Sequence, residues 1–182
     1  MKTLQEISKE IAACKECQRN KSGLPVAGEG NPHARILFIG EAPGAQEAKT
    51  GRPFVGRSGK FLNKLLESIG SGREDVFITS PVKYFSGSRA LTEKEIVHGK
   101  MHTLEQVEAI KPRIIVLLGS VAHKALVGNI KVTETHGTVV KNNSIIYFST
   151  FHPAAALRFG FTREKIREDF KKLRVLIKKE LN

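Results

Sequence analysis

The sequence predicts a three-layer α/β/α sandwich built on a mainly parallel central sheet of about four strands. Three observations point to it. Short apolar runs at Ile36–Ile39, Val76–Thr79, Arg113–Leu118 and Ile145–Phe148 alternate with stretches whose apolar residues recur at helical spacing. The third run is almost continuously apolar, as expected of a strand covered on both faces. The two segments richest in motif character, Gly40-Glu41-Ala42-Pro43-Gly44 and Phe151-His152-Pro153-Ala154-Ala155, each follow such a run, and open parallel sheets bind ligands beyond the carboxyl ends of their strands. No internal repeat or boundary interrupts the 182 residues, so residues 1–182 read as one domain.

The elements follow in order. Leu4, Ile7 and Ile11 lie on one face of a helix over 3–13, which runs into Cys14-Lys15-Glu16-Cys17. Glycines and prolines between Asn20 and His33 predict an extended loop, and strand one covers about Ala34–Gly40. Phe61, Leu62, Leu65, Leu66 and Ile69 form a helical face closed by Gly70. Strand two ends near Ser80 because Pro81 cannot continue a central strand. Thr92 and Glu95 make a capping box for a helix to about Ile110. After strand three, Ser120 is expected to cap a short helix through Leu126, closed by Gly128. Residues 130–144 predict a β excursion with a turn at Lys141-Asn142-Asn143. Strand four leads to the His152 loop and a last helix from about Thr162, with Ile166, Phe170, Leu173 and Ile177 as its core stripe and its basic face in solvent.

Thirty Lys and Arg against eighteen Asp and Glu give a net charge of +12, which favours polyanionic partners without distinguishing DNA, RNA and acidic lipid. No apolar run approaches the roughly 20 residues that span a bilayer. The charge within Met1–Ile7 is foreign to an export signal, so a cytoplasmic, monomeric protein without a membrane partner is expected. Gly56-Arg57-Ser58-Gly59 opens a helix, where free N–H groups and the dipole favour a phosphate. A dinucleotide-binding enzyme suits the architecture, but the Gly40–Gly44 loop lacks the G-x-G-x-x-G spacing.

Taken together, Gly40–Gly44, Gly51-Arg52-Pro53-Phe54-Val55-Gly56-Arg57-Ser58-Gly59, Val82-Lys83 and His152-Pro153-Ala154 resemble family 4 of the uracil-DNA glycosylase superfamily, the thermophile and archaeal type. The resemblance implies hydrolysis of the N-glycosidic bond of deoxyuridine in DNA, releasing uracil and leaving an abasic site. It implies that His152 stabilises the departing base, that Phe54 stacks on it, and that Glu41, Ala42 and Ser80 complete the pocket. Glu41 and Glu47 are the carboxylates available to it; Glu41 is favoured for a polar contact in the pocket and Glu47 for orienting water. Gly56, Arg57, Ser58, Gly59, Lys83 and Arg158 are assigned to DNA, with Leu157 as a wedge into the minor groove or a core residue.

Two departures from the family pattern matter. The family carries four cysteines on a [4Fe-4S] cluster, whereas this chain has Cys14 and Cys17, with Tyr84 and Gly99 at the other two places. No cofactor is therefore expected, and the pair reads as a vestige first, otherwise as a reducible pair or half of a metal site completed by His98 or His102. Ser80 stands where the family reads the base with an asparagine, and Ala42 where other families place a catalytic aspartate. A shifted specificity for other deaminated bases, or a non-catalytic lesion-binding protein of the same fold, are the alternatives those two residues raise.

Overall fold

The computed structural model describes residues 2–87, 89–128 and 131–181. Its sheet has six strands in the order β1-β3-β2-β4-β6-β5, formed by β1 (Glu29–Gly30), β2 (Ile36–Ile39), β3 (Phe77–Thr79), β4 (Ile114–Leu118), β5 (Val139–Asn142) and β6 (Ile145–Thr150). The four predicted strands are the parallel centre, β3-β2-β4-β6. The two others are antiparallel edges, β1 on β3 and β5 on β6, so the expected count of four is corrected to six. The added edge strands lack an apolar pattern: β1 has two residues inside the Gly-rich loop, and every residue of β5 is exposed.

Alternation along each central strand sorts the core into layers. Ile36 and Phe38 of β2 point to one face with Val116 and Phe148, where helices α4 (Arg57–Ser68) and α9 (Gly160–Leu181) pack; Phe170 of α9 stacks on Phe38 at 6.2 Å. Leu37 and Ile39 point to the other face, under α5 (Glu93–Ile110) and α6 (Ser120–Leu126). Helices α1 (Leu4–Ala13) and α2 (Lys15–Gln18) bury Ile7, Ile11 and Cys17 against Tyr84 in a smaller cluster beside α5. The remaining short helices are α3 (Ala45–Thr50), α7 (Val132–Thr135) and α8 (Pro153–Arg158).

The predicted capping box of α5 is present, with Thr92 Oγ1 accepting from Glu95 N–H at 3.3 Å. Three expectations change. Gly119 rather than Ser120 is the N-cap of α6; its φ of +89° and the His152 side chain 2.9 Å from where a Cβ would stand require glycine. The excursion after α6 opens with helix α7 before β5, with residue 130 outside the described residues. Helix α9 begins at Gly160 rather than Thr162.

The chain leaves β2 for β3 on one side and later enters β4 on the other. That reversal opens a crevice at the carboxyl ends of β2 and β4. Both motif loops lie there.

Candidate active site

The Gly40–Gly44 loop and the Gly51–Gly56 loop are joined by one side chain. Glu47, 7% exposed on α3, accepts from Gly44 N–H at 3.1 Å through one carboxylate oxygen and from Val55 and Gly56 N–H at 2.8 Å each through the other. The motif glycines permit this approach, since a Cβ at Gly44 would stand 2.6 Å from the carboxylate and one at Gly56 3.3 Å. Glu47 is thus a clamp on backbone amides. Two consequences bear on the sequence reading: both its oxygens already accept backbone N–H groups although the side chain also lines the pocket described below, and the Gly56 N–H is already taken rather than free for a phosphate.

The clamped loop presents Phe54 at φ +52°, a conformation costly for a residue with a Cβ. Its ring lies on Gly40, where a Cβ would stand 2.7 Å from two ring carbons. Gly59 is buried beneath the Phe54 carbonyl, where any Cβ would overlap the backbone, so its place is packing rather than DNA contact. Arg73 holds the same loop from outside, donating to the carbonyls of Pro53 at 2.7 Å and Phe54 at 3.3 Å while paired with Glu29.

His152 arrives from the end of β6 and stacks on Phe54 with ring centroids 5.6 Å apart and planes 29° apart. The rings form one continuous wall. As N-cap of α8, His152 accepts the Ala154 N–H on Nδ1 at 3.1 Å, which leaves the ring proton on Nε2. Burial lowers its pKa to about 4, so the imidazole is neutral at pH 7. Behind it, Asp169 of α9 is fully buried, accepting from Thr150 Oγ1 at 2.7 Å and meeting His136 Nδ1 at 3.0 Å, while the His136 ring packs on Phe151 at 4.6 Å. The histidine loop is therefore anchored through α9.

These groups line a pocket of about 590 Å³, of the size that holds small ligands. Glu41, Ala42, Phe54, Ser58, Ser80, His152 and Arg158 all contribute to it. Glu41 is half-buried without a salt-bridge partner among the described residues, and burial raises its pKa. Ala42 can offer only backbone. Ser80 faces the site, but its hydroxyl donates to the Val82 carbonyl at 2.9 Å, so it is not a free reader of a base edge.

Lys83 is corrected outright. Its ammonium is fully buried, donating to Thr79 Oγ1 at 2.8 Å and Gln106 Oε1 at 2.9 Å, and burial lowers its pKa to about 7, so it cannot reach a DNA phosphate. The cations that do form a surface came from an element read as merely solvated. Arg163, Arg167, Lys171 and Arg174 of α9 face Arg57, Lys60 and Lys64 of α4 across a groove of about 750 Å³ floored by Phe61, Leu65 and Leu157. The groove abuts the pocket, with Arg57 and Leu157 lining one and their neighbours Ser58 and Arg158 the other. The i, i+4 spacing of Arg163, Arg167 and Lys171 was the available signal. Arg73, His136 and Asp169 left no local signal.

Cys14 and Cys17 lie apart from the pocket, close to His98 and His102 of α5. A [4Fe-4S] cluster does not fit these residues. The chain has two of the four thiolates such a cluster takes, Tyr84 packs its ring beside Cys17 in the buried cluster there, and any Cβ at Gly99 would overlap the Pro81 carbonyl.

Fold and site define a class: open α/β proteins with an aromatic-walled pocket at the strand ends beside a track of cations. Within that class, the chain belongs to the uracil-DNA glycosylase superfamily, whose family model matches residues 27–174. It is similar to the Type-4 uracil-DNA glycosylase of Sulfurisphaera tokodaii, 40% identical with 97% of this chain and 86% of the relative covered. The Type-4 enzymes of Thermotoga maritima and Archaeoglobus fulgidus are 38% and 36% identical, covering 97% and 95% of this chain and 96% and 92% of their own lengths.

Proposed function

We propose that the chain is a monofunctional uracil-DNA glycosylase of the type-4 kind, hydrolysing the N-glycosidic bond of deoxyuridine in DNA. The observation that carries this reading is the shared wall of Phe54 and a neutral His152 whose proton is held on Nε2. Family membership and relatives at 36–40% identity over nearly the whole chain support it. Both motif loops belong to one sheet, which suits a single working domain, and we take the enzyme to act as a monomer in the cytoplasm. Among the described residues no helix is long and apolar enough to cross a membrane.

The groove between α4 and α9 receives the phosphate backbone, and the deoxyuridine turns out of the stack into the pocket at a cost of a few kcal/mol. Stacking on the exposed edge of the Phe54 wall returns about 1–3 kcal/mol of that. As the C1′–N1 bond breaks, its electron pair passes to the base, and charge develops on a uracil carbonyl oxygen. A neutral Nε2–H donor strengthens its hydrogen bond to that oxygen without competing for the proton, an effect worth about 2.7–4 kcal/mol. Glu41, unpaired and partly desolvated, faces the developing sugar cation and accepts a proton from the water that adds at C1′. This reading moves the water from Glu47 to Glu41.

Single-turnover release of uracil from a labelled oligonucleotide tests it. His152→Ala is expected to slow release by about 10²–10³-fold with little change in DNA affinity. Normal DNA binding with no base release by the wild-type chain would favour a lesion-binding protein instead. Ser80 supports a second, broader reading: with its hydroxyl bound to Val82, base recognition falls to backbone groups, and hypoxanthine or xanthine becomes admissible. The same assay on those bases decides it.

A further inference from the structure

We propose that Cys14, Cys17, His98 and His102 form a structural site for one tetrahedral divalent cation, zinc by its donor set. Four side chains from two separate parts of the chain converge there, with one ligand atom from each within 4.8 Å of all the others. Cys14 Sγ is already 3.2 Å from His98 Nε2 and accepts the Cys17 N–H at 3.3 Å. In a tetrahedral site with Zn–S of about 2.3 Å and Zn–N of about 2.0 Å, ligand atoms stand about 3.3–3.8 Å apart, so small side-chain shifts close the cage. The spacing is that of structural zinc sites, C-x₂-C paired with H-x₃-H, and the latter puts both imidazoles on one face of α5 one turn apart.

A second observation is independent of spacing. His102 is only 8% exposed, and its Nε2 is buried without a hydrogen-bond partner. A buried, unsatisfied ring nitrogen is costly unless something binds it. Its other nitrogen meets Glu105 Oε2 at 3.1 Å, and Lys2 in turn holds Glu105 at 2.7 Å. A carboxylate behind a histidine is the usual way of fixing the tautomer of a metal ligand.

The arrangement argues for a mononuclear ion. A binuclear iron–sulfur centre with two cysteines on one iron and two histidines on the other would hold thiolate and imidazole a cluster's width apart. Here Cys14 Sγ and His98 Nε2 touch, and all four ligand atoms lie within 4.8 Å of one another, the span of a single ion's coordination shell. With four protein ligands no position stays open for substrate, so the ion cross-links α1/α2 to α5, outside the pocket. The site stands whether or not the glycosylase reading holds.

The test uses the reduced full-length chain produced in zinc-replete medium, with metal and acid-labile sulfide measured, followed by exchange into cobalt(II). Expected are one zinc per chain, no sulfide, and a tetrahedral cobalt spectrum with thiolate charge transfer. His98→Ala and His102→Ala should each lose the ion, and Glu105→Gln should retain it with affinity lowered about 10-fold or more. Iron with sulfide, no cobalt uptake, or unchanged metal content in both histidine variants would overturn the proposal. Should the alanine variants fail to fold, the wild-type cobalt spectrum and the Glu105→Gln affinity decide it.

Discussion

Replacing Glu47 separates a clamp from a catalyst. In Glu47→Gln the amide oxygen can still accept from Val55 and Gly56, but the amide nitrogen turns a donor toward the Gly44 N–H, which becomes unsatisfied. Losing one charge-assisted bond of about 1.5–3 kcal/mol and weakening two others leads to a destabilisation of about 3 kcal/mol. For a chain of this length that lowers Tm by roughly 6–12 °C. Glu47→Ala removes all three acceptors and should fall further. Because the carboxylate ties the Gly40 loop to the Phe54 loop, looseness should appear in substrate affinity as well as in rate. Differential scanning calorimetry and single-turnover release at several DNA concentrations measure both. A Glu47→Gln variant with unchanged Tm and affinity but a rate lowered 100-fold would refute the clamp and restore the water-orienting role.

Other outcomes follow from the same geometry. Burial holds the His152 pKa near 4 against about 6.5 unfolded, so the unfolded chain binds more protons between those values and stability falls as pH drops through that window; His152→Asn should lose this slope in pH-dependent denaturation. Because the imidazole stays neutral, the rate should show no His152 inflection near pH 6.5, and the acid limb should reflect Glu41, raised above the ordinary carboxylate range, and disappear in Glu41→Gln. Arg167→Glu with Lys171→Glu should weaken binding of uracil-containing and undamaged DNA alike and lower the slope of log affinity against log salt, as expected if the cations lining the groove pair with phosphates. Phe159, 63% exposed on the pocket rim, stands freer than the half-buried Leu157 to fill the gap left by the base. Phe159→Ala should therefore slow release from duplex more than from single-stranded DNA, and Leu157→Ala should not show that difference.

The central strands, the helices that cover them and the two motif loops were legible in the sequence because their signals are local: apolar period, capping residues, glycine and proline placement. So was the pairing of Phe54 with His152, since parallel strands in one sheet deliver their carboxyl ends to one edge. Edge strand β1 was not, because two residues inside a Gly-rich loop carry no apolar pattern, whereas β5 falls within the β excursion expected over 130–144. Lys83 misled because a lysine in a motif looks the same whether its ammonium meets solvent or Gln106.

What the sequence by itself determined is the layer architecture, the family and which loops line the pocket, for these rest on spacing along the chain and on residue type. Only the tertiary structure decided what each polar group is bound to. It assigned Glu47 to three amides and the His152 proton to Nε2, built a groove from two helices remote in sequence, and brought Cys14 and Cys17 to His98 and His102. Hydrogen bonds and metal-ligand sets depend on distances of a few ångströms between remote segments, which no period within a segment encodes.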